Sequence, residues 1–386
     1  MEARKIEERG IAIEQREIGR LVGAEPGPTL AIVGGIHGNE PAGVEAARRV
    51  FARLARGDLR LRGEIVAFAG NVEALRRGVR YQAKDLNRLW SEAHIAALRE
   101  NRAGGHGPED REQLELLSAI EAALGRARGR VHLVDLHTTS AAGIPFILFG
   151  DTLPQRRFAR AFPLPVLIGL EEQLDAVLTD YWTRRGCITL AIEGGQHASP
   201  DSTEAIEAFL WLALARAGLL VGGEPEEIAR SGALLDRRRA GLPRVMEVIS
   251  RRSVSPEDGF CMEPGFRNID YARKGQLLAR DNSGEIRAPA DGMVILPLYQ
   301  GLGRDGFFWG REVSRGRLLA SEALRAVGAD RLLAILPGLA RDATDPSRFL
   351  VDARADRPLL LEALHFFGYR RVREDGARLI AERQES

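Results

Sequence analysis

The chain has 386 residues, enough for about two or three domains around a sizeable core, and its 45% hydrophobic and 28% charged residues describe an ordinary water-compatible globular protein. A formal net charge of +1, with acids interspersed among the arginines, gives no reason to expect a nucleic acid or an anionic membrane as partner. Cys187 and Cys261 are too few and too far apart for a disulfide framework, the stretch Met1 to Arg9 lacks an apolar signal region, and no run approaches transmembrane length, so the cytoplasm is the expected compartment.

In chain order, residues 1–20 alternate enough for an edge strand. Glu25-Pro-Gly-Pro28 reads as a turn that launches a strand over 29–34. A helix over 43–56 and a strand over 64–69 follow, then a polar loop over 71–94. The cluster 101–108 is rich in glycine and precedes a helix near 109–125; His106 in it reads as solvent-exposed and His94 as a helix-surface residue. Apolar strands ending at His137 and Glu193 bracket shorter strands over 144–149 and 165–169 and a helix leading to Tyr181, and a further helix runs over 201–217. Strands alternating with helices predict an α/β fold with a mostly parallel mixed sheet covered on both faces. We expect a catalytic unit over 1–221, a linker over 222–243, a smaller β-rich C-terminal unit over 244–315 and a helical or mixed extension over 316–386. The turn and strand at 287–297 resemble a barrel-sandwich fold, but no lysine sits at the turn to carry lipoyl or biotin. That β-rich unit is expected to act as a lid or wall that narrows the pocket.

The chemistry starts at Gly34-Gly-Ile-His-Gly-Asn-Glu-Pro41, where a strand-like run ends on His37 with Glu40 three residues later. An imidazole and a hard carboxylate joined by one more distant histidine make a catalytic zinc set with an open position for water. Val131-His-Leu-Val-Asp-Leu-His137 supplies that histidine at a strand's carboxyl end, where α/β sheets place their sites; alternation puts Asp135 and His137 on one face and His132 on the other. His132 therefore reads as a buried structural residue. Cys187 to Gly195 delivers Glu193 to a glycine pair, and a carboxylate at the end of a buried strand is costly unless it has a partner or a task, which makes it a candidate general base. Arg80-Tyr-Gln-Ala-Lys-Asp-Leu-Asn-Arg88 offers an amide and guanidinium groups for a carboxylate and an oxyanion. His197, four residues past Glu193, reads as an exposed loop histidine.

His37-Gly-Asn-Glu40, Asp85-Leu-Asn-Arg88, Asp135-Leu-His137 and Glu193-Gly-Gly195, in this order, resemble the succinylglutamate desuccinylase and aspartoacylase family of zinc carboxypeptidase-like hydrolases. The resemblance is strong over residues 28–220 and weaker to about 310. It implies one Zn²⁺ per chain on His37, Glu40 and His137, and Glu193 as the general base and acid. It further implies Arg80 at the scissile carbonyl, Asn87 and Arg88 on a substrate carboxylate, and Asp85 behind the first zinc histidine. Tyr181 and Arg185 keep the four-residue spacing of the pair that aspartoacylases use for a second carboxylate. Where aspartoacylase contributes a tyrosine from its C-terminal domain, this chain reads Gly306-Phe-Phe-Trp309, a departure from the aspartate-specific pattern.

The expected activity is zinc-dependent hydrolysis of linear C–N amide bonds, not peptide bonds, in a small N-acyl amino acid or related carboxylate-bearing amide. A homo-oligomer is compatible with this. Two other classes share the residues: a metallocarboxypeptidase acting on peptide C-termini, and a non-catalytic protein that binds a metal or an acidic metabolite.

Overall fold

The computed structural model describes residues 11–100, 107–170, 173–223, 225–352, 357–375 and 378–383. Residues 1–10 and His106 lie outside this set. The first half lays down β1 (Glu17–Val22), β2 (Glu25–Gly34), α1 (Ala42–Leu54), β3 (Arg60–Ala69), α2 (Val72–Arg77), α3 (Glu92–Arg99), α4 (Pro108–Arg126), β4 (Val131–Thr139), β5 (Phe146–Leu148), α5 (Leu153–Ala159), β6 (Val166–Ile168), α6 (Leu178–Thr183) and β7 (Ile188–Gln196). Long apolar strands that read as continuous hydrophobic runs are the mark of a sheet buried on both faces. Here the alternation within β2 shows it directly: Leu30 and Ile32 pack on one side with α1, α5 and α7 (Pro200–Ala217), while Ala31 and Val33 pack on the other with α4 and α6. Fully burying one such Leu or Ile side chain contributes about 2 kcal/mol.

The chain continues through β8 (Leu220–Val221), α8 (Glu226–Arg238), β9 (Val245–Ser253), β10 (Cys261–Met262), β11 (Asp270–Ala272), β12 (Leu277–Asp281), β13 (Gly284–Arg287), β14 (Gly292–Ile295) and β15 (Asp305–Glu312). Among the described residues the main sheet has 12 strands in the order β1-β3-β2-β4-β7-β5-β6-β9-β15-β14-β11, with β8 beside β3. It is a mixed sheet. The pairs β2·β3, β2·β4, β4·β7, β5·β6 and β6·β9 are parallel, and β5·β7 and everything beyond β9 are antiparallel. A smaller sheet of β10, β12 and β13 packs alongside. The rest of the chain forms α9 (Arg315–Ala326), β16 (Leu339–Arg341), β17 (Arg348–Val351), α10 (Arg357–Phe366), β18 (Tyr369–Asp375) and β19 (Arg378–Arg383), with the four strands in one antiparallel sheet. No helix among the described residues is long and apolar enough to cross a membrane.

Three local expectations are corrected. Glu25-Pro-Gly-Pro28 is not a turn but the irregular start of β2, where the register with β3 shifts between Glu25 and Thr29. The stretch 222–243 is not an open linker: Ile228 and Leu235, seven residues apart on one helical face, bury α8 in the same core as α7. The strands of 244–315 also do not stand apart, since β9 extends the main sheet by pairing in parallel with β6. At the other end the edge strand expected within 1–20 begins only at Glu17, with β1 antiparallel to β3; 11–16 form no strand.

Candidate metal and catalytic site

The site lies at the carboxyl ends of β2, β4 and β7, three neighbours in the sheet. β2 ends at Gly34 and turns through Gly35, whose φ of +70° favours glycine. At Gly38 a Cβ would come within 2.1 Å of the Ala74 backbone, so only glycine lets this turn lie against α2. The turn presents His37 and Glu40, and α1 starts directly after Pro41. His137 and Glu193 are register partners across the parallel ladder of β4 and β7, and Phe146 flanks Glu193 from β5.

One donor atom each from His37, Glu40 and His137 lie within 4.8 Å of one another, and all three residues are buried. Their hydrogen bonds orient both rings alike. Nδ1 of His37 lies 2.9 Å from Glu40 Oε1 and Nδ1 of His137 lies 3.1 Å from Glu40 Oε2. The opposite nitrogens are held by carboxylates: His37 Nε2 by Asp85 Oδ1 at 2.9 Å and His137 Nε2 by Asp135 Oδ2 at 2.8 Å. A ligating imidazole ordinarily has its other N–H fixed this way, and two imidazoles with one carboxylate suit a divalent ion such as zinc. The residues present therefore fit a metal.

The charges are steeply tuned. Burial alone would raise the Glu40 carboxyl, but the His37 and His137 imidazoles hold it well below the ordinary carboxylate range. Burial likewise opposes ionisation of Asp85 and is outweighed by His37, Arg80 and Arg88. His137 is raised well above its usual value, against burial, by Asp135 and Glu40. Glu193 goes the other way. Its burial, reinforced by the charges of Glu40 and Asp135, raises its pKa well above the usual carboxyl value despite His137 and Arg80. Its Oε2 is buried without a protein hydrogen-bond partner.

The loop before α3 supplies the other groups. Arg80 reaches Glu40 Oε1 at 3.3 Å and Asp85 Oδ2 at 3.2 Å. Asn87 takes its backbone N–H to Asp85 and accepts the Leu178 N–H on Oδ1 at 2.9 Å, which leaves its amide nitrogen 3.5 Å from His137 Nε2. Arg88 donates to the Asn87 carbonyl at 2.9 Å and to Asp305 Oδ2 at 2.9 Å. The loop's shape is set from α4. The buried Glu109 carboxylate accepts the N–H groups of Gln82, Ala83 and Lys84 at 2.7, 3.1 and 3.2 Å.

All of these converge on one cavity of about 1130 Å³, its open mouth included, lined by His37, Glu40, Arg80, Asn87, Arg88, His137 and Glu193. Tyr181 and Arg185 are not among its lining residues. Tyr181 is packed between Trp90 and Trp182, and Arg185 lies 3.5 Å over the Tyr181 ring with its guanidinium bound to Glu92 at 2.6 and 2.7 Å. The spacing does make a pair, but α6 buries Tyr181 between the tryptophans and leaves Arg185, just past its end, exposed against Glu92 of α3. His197 is the converse case. It lines the cavity, with Nδ1 2.8 Å from Thr138 Oγ1 and Nε2 3.2 Å from Gln300 Oε1, and burial lowers its pKa. Gln300 and Asp305, together with Leu296 and Phe308, come from the segment between β14 and β15 and from β15 itself. His132 is buried against Phe158, and burial pushes it down to about 4.

The succinylglutamate desuccinylase/aspartoacylase catalytic domain matches residues 26–211. A succinylglutamate desuccinylase of Pseudomonas syringae pv. tomato is 38% identical over 267 residues, which cover 67% of this chain and 74% of that protein. The chain belongs to the succinylglutamate desuccinylase/aspartoacylase family of deacylases. Other members align over less: the succinylglutamate desuccinylase of Pseudomonas fluorescens strain SBW25 is 37% identical over 113 residues, only 31% of its own length. Among solved structures of the family fold, succinylglutamate desuccinylase from Vibrio parahaemolyticus covers 76% of this chain and 86% of its own at TM-score 0.55 and 17% identity. The product-bound ectoine utilization protein from Ruegeria pomeroyi covers 76% and 87% at TM-score 0.55 and 21% identity. At such identities the two structures speak for the fold.

Proposed function

We propose that this family member is a zinc-dependent cytoplasmic hydrolase that cleaves the amide bond of a small N-acyl amino acid or related carboxylate-bearing amide. The observation that carries the reading is the meeting, in one cavity, of the His37, Glu40 and His137 donor set with a buried Glu193 of raised proton affinity one strand away. When bound by these donors, zinc supplies a Lewis acid that polarises a carbonyl and makes water a nucleophile near neutral pH.

The remaining work falls to the chain. Asp85 and Asp135 fix the two imidazoles so that Nδ1 faces the donor set. Glu193, whose pKa lies above that of an ordinary carboxyl, takes a proton from the attacking water and returns it to the departing nitrogen. Arg80 places a fixed positive charge beside Glu40 and Asp85, where it offsets negative charge growing on the carbonyl oxygen. Asn87 and the part of Arg88 left free by Asp305 orient the substrate carboxylate, which holds the scissile bond in place.

The test is amine release from a panel of N-acyl amino acids and short peptides by zinc-loaded protein beside Glu193→Gln. We expect release from acylated amino acids, a drop of about 10² to 10⁴-fold in kcat in the variant, and unchanged zinc content. Undiminished turnover by Glu193→Gln would remove Glu193 from the mechanism, and release from peptides alone would make the protein a metallocarboxypeptidase.

A further inference from the structure

The cavity's lining is in part charged, with the His37, Glu40 and His137 donors, and in part apolar. Leu148, Leu170, Leu174, Val177, Leu296 and Phe308 form the apolar wall. Among the described residues that line it, the permanent cations are Arg80 and Arg88; Arg80 is committed, and Arg88 keeps for a substrate only what Asp305 leaves of it. Arg80 is engaged by Glu40 and Asp85. Arg88, the guanidinium that the family resemblance assigns to a substrate carboxylate, already carries a carboxylate, that of Asp305 at 2.9 Å. Asp305 is held there from its other side by Arg251 on β9 at 2.5 Å, so the cap is built into the sheet and not borrowed from a mobile tail.

Among the described residues, the carboxyl groups lining the cavity are those of Glu40, Asp135, Asp180, Glu193 and Asp305. Asp180 is itself bound by Arg184 and Arg371. A second carboxylate on the substrate would therefore enter a space with several like charges and, among the described residues, no uncommitted guanidinium. Burying a carboxylate without a partner is strongly disfavoured, whereas an apolar chain gains from the wall.

The geometry points to a substrate with a neutral, apolar acyl group seated against this wall and no more than one carboxylate, with Asp305 as the specificity-determining residue: it leaves Arg88 room for that one carboxylate and none for a second on the acyl group. This rests on the amide-hydrolase reading above. Asp305 acts through Arg88 and does not touch the reacting atoms.

The experiment compares kcat/KM of the zinc-loaded full chain for N-acetyl-, N-pentanoyl- and N-succinyl-alanine, in wild type and in Asp305→Asn, with melting temperature and zinc content as controls. The pentanoyl and succinyl groups are close in size and differ in charge. We expect wild type to favour the pentanoyl over the succinyl substrate by about tenfold or more, and Asp305→Asn to shift that ratio toward succinyl by about tenfold. A general loss of structure would lower both rates and leave the ratio where it was. Wild type that cleaves the succinyl substrate as well as or better than the pentanoyl one overturns the inference and leaves the amide-hydrolase reading standing, and so does an unchanged ratio in folded Asp305→Asn. Should the variant fail to fold, the wild-type ratio alone decides. No cleavage of any of the three overturns the amide-hydrolase reading itself.

Discussion

Asp135 shows how much of the proposed metal site lies one residue behind its donor set. It accepts from His137 at 2.8 Å and is buried, so it fixes which nitrogen the ring turns toward Glu40. Asp135→Asn keeps the shape but loses the charge, and should weaken zinc binding by about 10 to 100-fold; competition against a chromophoric chelator measures it, and unchanged affinity would show that Asp135 is only a packing residue. At this scale the sequence was readable where a residue's place is announced by its neighbours. His37 and Glu40 share one turn, and His137 and Glu193 sit at strand ends. It was unreadable where the partner comes from far away: His197 looked like a surface residue because Gln300, its partner at 3.2 Å, is 103 positions later. Tyr181 and Arg185 failed for a related reason, because helical spacing sets which residues share a face but not which way that face turns.

At the level of elements, the loop that carries Arg80, Asp85, Asn87 and Arg88 has no regular structure of its own beyond a short turn at Leu86–Arg88. Its backbone hydrogen bonds go instead to Glu109 in the first turn of α4, where the helix dipole also favours a carboxylate. Glu109→Ala strands three N–H groups in a partly buried setting, at a cost of about 2 to 4 kcal/mol, and lets the loop drift. We expect kcat/KM to fall at least about tenfold together with the melting temperature, since small misplacements of positioning groups are expensive. Glu109→Gln should recover part of both. A Glu109→Ala enzyme with full kcat/KM would mean that the loop is held by other contacts. The elements themselves were largely legible, because periods of 2 and 3.6 mark strands and helices wherever one face is buried. The helix α8 escaped because its apolar positions are sparse among arginines and glutamates.

For the whole molecule, long-range order is the part that sequence periodicity does not carry. Nothing local to 245–253 reveals that it pairs with Val166–Ile168, nor that the last sheet is tied to the first by charge. That tie is a buried cluster. Asp151, just after β5, is bound by Arg156 of α5, Arg325 of α9 and Arg370 of β18, and Arg370 bridges on to Glu247 of β9 at 2.9 Å. Burial opposes the charge on Asp151, and the three guanidiniums hold its carboxyl well below the usual range. Asp151→Ala would leave those arginines buried against one another, a loss of about 3 to 5 kcal/mol. Thermal unfolding should show it as a large drop in midpoint, and a drop under a degree would mean that water or neighbouring carbonyls satisfy the cluster.

His137 and Glu193 stand on β4 and β7 and His37 in the turn that follows β2, three strands consecutive in the sheet, whereas Phe308 and Asp305 stand on β15, four strands beyond β7. On the proposed reading, reactivity and selectivity are thus written on separate stretches of one hydrogen-bonded surface. Chimeras that exchange the segment from β14 through β15 between relatives would trade substrate range without re-registering the ladder that aligns His137 with Glu193, so a lineage can diversify its chemistry's targets while inheriting its machinery intact.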